Sequence, residues 1–231
     1  MGGFQHDPAR GGPDAPIKGR GAFSNRDGRY EPRRTERVDD GWPAWDDGLL
    51  PAAPRTTVTP DRAKTVIARN RSPDVGFDRS INPYRGCEHG CIYCFARPTH
   101  AYLGLSAGLD FETRLFAKHD AALLLRRELS RPGYRPAELA LGVNTDAYQP
   151  IERRLRLTRS VLEVLAEFRH PVAIVTKSHA VLRDLDLLAP MAAENLAKVC
   201  ISVTTLDPGL ARRMEPRAPA QANRLRAIEA L

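Results

Sequence analysis

The sequence predicts an α/β fold built on a parallel sheet, and two observations carry that prediction. Short, largely apolar runs recur at 138–143, 172–176 and 198–204, each the length of a buried strand. Each run is followed by a stretch with helical apolar spacing, the order in which crossover helices cover a parallel sheet. On pattern alone, a partial barrel and a doubly wound sheet both remain open.

The elements follow in chain order. Residues 1–58 are rich in Gly, Pro, Arg and Asp and lack a sustained apolar period, which predicts a disordered tail. Within it, Trp42, Trp45, Leu49 and Leu50 read either as a short docking segment or as a local cluster. Residues 59–231 are read as the core domain, with order beginning near Thr65-Val66-Ile67-Ala68. Ser80-Ile81-Asn82-Pro83-Tyr84-Arg85-Gly86 reads as an extended segment entering a loop, because Pro83 and Gly86 oppose a helix. Residues 111–117 read as a further extended segment, and 120–129 as a helix with Ala121, Leu123 and Leu124 on its inner side.

The strand at 138–143 ends at the polar loop Asn144-Thr145-Asp146. Gln149-Pro150-Ile151-Glu152 resembles a helix opening, with proline where its missing N–H costs nothing. Leu155, Val161, Leu162, Leu165 and Phe168 give that helix an apolar face. After the strand at 172–176, Ser178 is a candidate cap for a helix carrying Val181, Leu182, Leu185 and Leu188. Beyond the strand at 198–204, Leu225, Ile228 and Leu231 recur at i, i+3 and i+6. That last helical pattern has no stop signal, so the reading expects a C-terminally truncated chain with an incomplete core domain.

Composition narrows the class. At 231 residues, 42% hydrophobic and 6% aromatic, the chain suits one domain with a core of Leu, Val and Ala. No stretch approaches the ~18 apolar residues of a membrane span. Met1-Gly2-Gly3-Phe4-Gln5 has no basic flank leading into an apolar run, so no signal peptide is expected. The 35 Lys and Arg against 28 Asp and Glu give a net charge of +7, which fits a solvated basic surface or attraction to a polyanion such as nucleic acid. Four cysteines, three of them clustered, do not make a disulfide scaffold; thiolates that must stay reduced point to the cytoplasm.

The clustered run is Cys87-Glu88-His89-Gly90-Cys91-Ile92-Tyr93-Cys94. Soft ligands at this density favour an iron–sulfur site, and three thiolates leave one iron of four open to bind a small molecule. Gly90 permits the tight turn that gathers them. Zinc is the alternative, with His89 recruited as the fourth ligand, although its place inside the triplet cramps that geometry. Cys200 lies too far along the chain to assign as a ligand and reads as a small buried residue.

The cysteine run resembles the signature of the radical SAM superfamily. Asn82-Pro83-Tyr84-Arg85-Gly86 through Arg97-Pro98, Asn144-Thr145-Asp146-Ala147-Tyr148-Gln149-Pro150-Ile151-Glu152 and Glu215-Pro216-Arg217 resemble its spore-photolyase-like branch. The likeness spans roughly residues 65 to 231. It implies a partial (β/α) barrel, of which the chain carries four good units. It also implies a 4Fe-4S cluster on Cys87, Cys91 and Cys94, whose open iron chelates the amino and carboxylate groups of S-adenosyl-L-methionine. Reduction then cleaves the sulfonium to methionine and a 5′-deoxyadenosyl radical, which abstracts hydrogen from a substrate. The protein's part is to position the reagent and exclude solvent.

The same resemblance assigns roles. Tyr93 matches the aromatic position before the third cysteine, near the adenine; a core tyrosine is the plain reading. Asn144, Thr145 and Asp146 stand where polar contacts to the methionine moiety are made, but depart from the common Gly-Gly-Glu form, and loop capping by Asp146 is the alternative. Lys177 is a candidate for the cofactor carboxylate. Ser202 and Thr204 share a strand face with Cys200 that either lines the cavity or turns away from it. Glu215 and Arg217 read as a polar clamp or an internal salt bridge. An electron donor such as flavodoxin or ferredoxin is implied, with DNA a candidate substrate of a lesion-repair lyase. The competing class is a noncatalytic iron–sulfur or zinc protein that binds nucleic acid.

Overall fold

Residues 17–28, 30 and 54–231 are described in the computed structural model. Trp42, Trp45, Leu49 and Leu50 lie outside them. The chain forms strands β1 (Thr57–Pro60), β2 (Ile67–Arg69), β3 (Arg79–Ile81) and β4 (Tyr84–Arg85), then a 3-10 helix at Arg97–Leu103. Next come α1 (Leu109–Thr113), β5 (Arg114–Ala117), α2 (Ala121–Leu129) and β6 (Leu139–Leu141). The crossover from β6 is α3 (Glu152–Leu155) and α4 (Leu157–Glu167), leading into β7 (Val172–Thr176). A 3-10 helix at His179–Asp184 and α5 (Leu185–Ala193) lead to β8 (Ala197–Ile201), followed by α6 (Pro208–Met214) and α7 (Gln221–Ala230).

The main sheet has the order β2-β3-β6-β7-β8 among the described residues. β3, β6, β7 and β8 run parallel, and β2 closes one edge antiparallel to β3. A second sheet, β1-β5-β4, carries the segment that leads into the cysteine run. Both faces of the inner strands are covered, and every residue of β3 and β6 is buried: β6 is wholly apolar, while β3 carries buried Arg79 and Ser80 beside Ile81. Ile81, Leu139, Leu141 and Ile174 pack in one core with Leu124 and Leu125 of α2, Val161, Leu162 and Leu165 of α4, and Leu188 of α5. Ile174 is fully buried, so Ile174→Val is expected to lower unfolding free energy by about 0.5–1.5 kcal/mol in a denaturant titration. No change would show that the core relaxes around β7.

Several local expectations change. Residues 111–113 are helical, and only 114–117 are strand. In α2 it is Leu124 and Leu125 that are buried, while Leu123 is 66% exposed, because the buried stripe runs Ala121, Leu124, Leu125, Glu128. The helix read from Gln149 is two helices, broken at Arg156, whose backbone is left-handed. Ser178 does cap, accepting the Ala180 N–H at 3.2 Å, but the turn it caps is 3-10. In α7 the apolar triplet Leu225, Ile228 and Leu231 faces solvent, and Gln221, Arg224 and Ala227 face inward. Cys200 is exposed rather than buried, since β8 is the edge strand and its Lys198–Cys200 face points outward. Of the expected tail, residues 20–26 are bonded to the domain, as detailed below. No helix among the described residues is long and apolar enough to cross a membrane.

Candidate metal and cofactor site

Parallel sheets place their binding loops at the carboxyl ends of the strands, and most candidate residues follow a strand; Glu215 and Arg217 follow α6 instead. The cysteine loop follows β3 and β4, Asn144-Thr145-Asp146 follows β6, Lys177 follows β7, and Ser202 and Thr204 follow β8.

The cysteine loop is braced from both sides. On one, Gln149 is fully buried; its side-chain carbonyl accepts the Glu88 N–H at 2.9 Å and its amide donates to the Gly86 carbonyl at 3.1 Å. On the other, the Arg97 guanidinium donates to the Cys91 carbonyl at 3.1 and 3.0 Å and pairs with buried Glu112 at 2.6 Å. The Cys87 N–H is held by the Phe111 carbonyl at 2.9 Å. Gly90 has φ +68°, the left-handed turn that the spacing required of it.

All three thiols are free, Cys87 buried and Cys91 and Cys94 partly exposed. Burial pushes the Cys87 thiol well above its ordinary range and Cys91 to about 11, the latter against the opposing charge of Lys177. Among the described residues no three His, Cys, Asp or Glu side chains gather around a single-ion position. Three soft donors on one braced loop, with a lysine charge facing them, are a donor set that fits an iron–sulfur cluster.

His89 points away from the role of fourth ligand: its Nδ1 lies 3.4 Å from Asp146 Oδ2, with the ring buried. Asp146 also accepts from the Thr176 hydroxyl at 2.7 Å and from the Tyr148 and Lys177 N–H groups at 2.9 and 2.8 Å. Burial works to raise its pKa, but His89 and these donors outweigh burial and hold the carboxyl at about 2. Asp146 is thus bonded as a capping carboxylate that joins three loops. Thr145 is buried and donates to the Tyr84 carbonyl at 2.8 Å, while the Asn144 N–H goes to the Asn82 side chain at 3.0 Å. Asn144 also lines a cavity of about 350 Å³ with Asn82, Tyr84, Arg85 and Lys118.

Tyr93, Lys177, Thr204 and Glu215 come together. Lys177 Nζ sits 5.8 Å from the Tyr93 ring centroid, and the Tyr93 hydroxyl bonds Glu215 and lies 3.1 Å from Thr204 Oγ1. Thr204 donates to Glu215 at 2.6 Å, and buried Arg224 takes the other carboxylate oxygen at 2.5 Å. Burial tends to raise the Glu215 pKa, but these three donors leave it below the ordinary value. Ser202 enters through its backbone, its N–H on the Thr176 carbonyl at 2.8 Å and its carbonyl on Arg224 at 3.0 Å. Arg217 pairs not with Glu215 but with Glu88 at 3.1 Å, and its N–H reaches the His89 carbonyl at 3.1 Å.

Four positioning groups escaped the sequence reading. Arg97 and Gln149 sit inside the quoted family segments, where their position was a usable signal. Glu112 and Arg224 carried none, neither being the only charge in its helix.

A sequence model of the radical SAM superfamily matches residues 81–231, which includes every residue of the site. An uncharacterized protein of Mycobacterium tuberculosis (strain ATCC 25618 / H37Rv) is 41% identical over 167 residues, covering 71% of this chain and 49% of its own. One from Mycobacterium bovis (strain ATCC BAA-935 / AF2122/97) has the same identity and coverage. An uncharacterized protein of Methanocaldococcus jannaschii is 27% identical over 170 residues, 74% of this chain and 60% of its own. The chain therefore spans about half the length of the mycobacterial relatives it matches. No solved structure gives a significant match.

Proposed function

Because the chain belongs to the radical SAM superfamily, we propose that it holds a 4Fe-4S cluster on Cys87, Cys91 and Cys94 and uses it to cleave S-adenosyl-L-methionine. The observation that supports this most is the site's assembly: the braced cysteine loop brings Tyr93 against Lys177, which stands at the carboxyl end of the parallel strand β7. When bound, the cluster supplies the electron that breaks the sulfonium into methionine and a 5′-deoxyadenosyl radical.

The chain's own residues do the positioning. Lys177 presents a cation beside Cys91, suited to the carboxylate of an amino acid. Tyr93 offers a partly exposed ring, its hydroxyl fixed by Glu215 and Thr204. Asp146 and Thr145 set the loop that frames them, and Ser202, Glu215 and Arg217 tie the last strand and helices to the cysteine loop. In this reading the sheet is an arc of a (β/α) barrel, and the chain falls in the spore-photolyase-like branch, on the strength of the 82–86, 144–152 and 215–217 segments. A lyase acting on DNA lesions, an electron donor such as flavodoxin or ferredoxin, and a cytoplasmic setting belong to the same proposal. The +7 charge favours a polyanionic substrate.

Anaerobic reconstitution followed by iron and sulfide analysis tests the reading, with dithionite and S-adenosyl-L-methionine then added. Four irons and sulfides per chain and release of 5′-deoxyadenosine are expected. A product that binds only zinc, or a full cluster that releases none, would contradict it.

A further inference from the structure

We propose that residues 17–28 form a strap that clamps the cysteine loop into its ligating shape. The first ground is a buried carboxylate. Glu112 is fully buried, and its oxygens accept the backbone N–H groups of Gly21 at 3.0 Å and Ala22 at 2.9 Å, besides the Arg97 guanidinium. Arg97 in turn holds the Cys91 carbonyl with two N–H groups. The strap is thus one bonded step from the residue that fixes the middle cysteine's backbone. Without it, Glu112 loses two of its three partners, and a buried charge so stripped rearranges.

The second ground is direct contact. A Cβ built on Gly21 would stand 1.8 Å from the carbonyl oxygen of Gly90, the turn residue between Cys87 and Cys91. Only glycine lets the two backbones approach that closely.

The third ground is anchorage beyond the loop. Arg20 donates to the Glu112 carbonyl at 3.0 Å and the Pro54 carbonyl at 2.9 Å. Asn25 and Asp110 exchange two hydrogen bonds, at 2.9 and 2.8 Å, and Ser106 donates to the Arg26 carbonyl at 2.6 Å. Apart from Arg20 to Pro54, these bonds reach across 80 or more residues of chain, for example from Asn25 to Asp110, so the segment is docked rather than merely adjacent.

The strap's action on the loop stands on this geometry; its effect on a cluster rests on the proposed function. The test compares the full chain with its Gly21→Val and Asn25→Ala variants. In the metal-free proteins, amide hydrogen exchange across 87–94 is expected to quicken by about tenfold in Gly21→Val, equivalent to ~1.4 kcal/mol, and by less in Asn25→Ala. Amides of β6 and β7 keep their protection. After reconstitution, iron release to a chelator should quicken in the same order. Unchanged exchange across 87–94 in both variants overturns the strap. Quicker exchange with equal iron release overturns its role at the cluster. If the parent chain takes up no iron while exchange quickens, the proposed function fails and the strap stands. If Gly21→Val loses protection in β6 and β7, Asn25→Ala decides alone.

Discussion

Replacing Cys91 with alanine is expected to abolish the four-iron cluster signal while leaving the fold intact. The hydrogen bonds that hold the loop at Cys91 fall on its backbone carbonyl. Its carbonyl accepts two N–H groups from Arg97 and one from Cys94, at 3.3 Å. Its side chain makes none of these bonds. Alanine therefore removes the proposed ligand without releasing the loop, and thermal unfolding of the metal-free chain should move little. Two remaining thiols leave two irons of a four-iron cluster without protein ligands. Retention of the same cluster signal by the variant would refute the ligand role.

Arg224→Met is expected to be the most destabilising single change on the C-terminal side of the site. Arg224 and Glu215 are buried together, with side-chain exposures of 1% and 0%. Arg224 also satisfies the carbonyls of Ser202 at 3.0 Å and Pro219 at 2.9 Å. Removing one member of a buried pair strands the other, at a cost of about 3–5 kcal/mol. That is a large share of the ~5–15 kcal/mol that holds a domain folded. Urea titration gives the number, and a loss under about 1 kcal/mol would show that the pair is wet or slack. Glu215 also accepts the Tyr93 hydroxyl, so the same change loosens the carboxylate that holds Tyr93.

The central strands were legible because burial on both faces writes itself as a plain apolar run. Leu139-Ala140-Leu141 and Val172-Ala173-Ile174-Val175-Thr176 read correctly for that reason. The edge strand did not. Cys200 has the composition of a core residue, yet its face is decided by which strand ends the sheet, a tertiary fact. Helix α7 misled for a related reason. Its apolar triplet was the natural inner face, but the Arg224–Glu215 pair made a charged face the buried one. Local pattern cannot foresee a partner nine residues away in another element.

The site divides along the same line. The turn at Gly90 was readable because the close spacing of Cys87 and Cys91 asks for a residue that tolerates a left-handed backbone there. Asp146 was placed correctly at a strand end, but the sequence left open whether it caps or binds; its four partners make it a cap. Glu215 and Arg217 were read together and turn out to serve different partners, Tyr93, Thr204 and Arg224 for the first, Glu88 for the second. The docked stretch at residues 20–26 was illegible because its contacts with Glu112 are made by the backbone N–H groups of Gly21 and Ala22, which any sequence supplies, and its Arg20 and Asn25 side chains reach partners far along the chain.

The most direct measurement is low-temperature electron paramagnetic resonance of the anaerobically reconstituted, reduced chain, before and after S-adenosyl-L-methionine is added. A four-iron signal that changes shape on addition of the cofactor is the result that the proposed function predicts. An identical spectrum with and without S-adenosyl-L-methionine, at full cluster loading, would contradict the account.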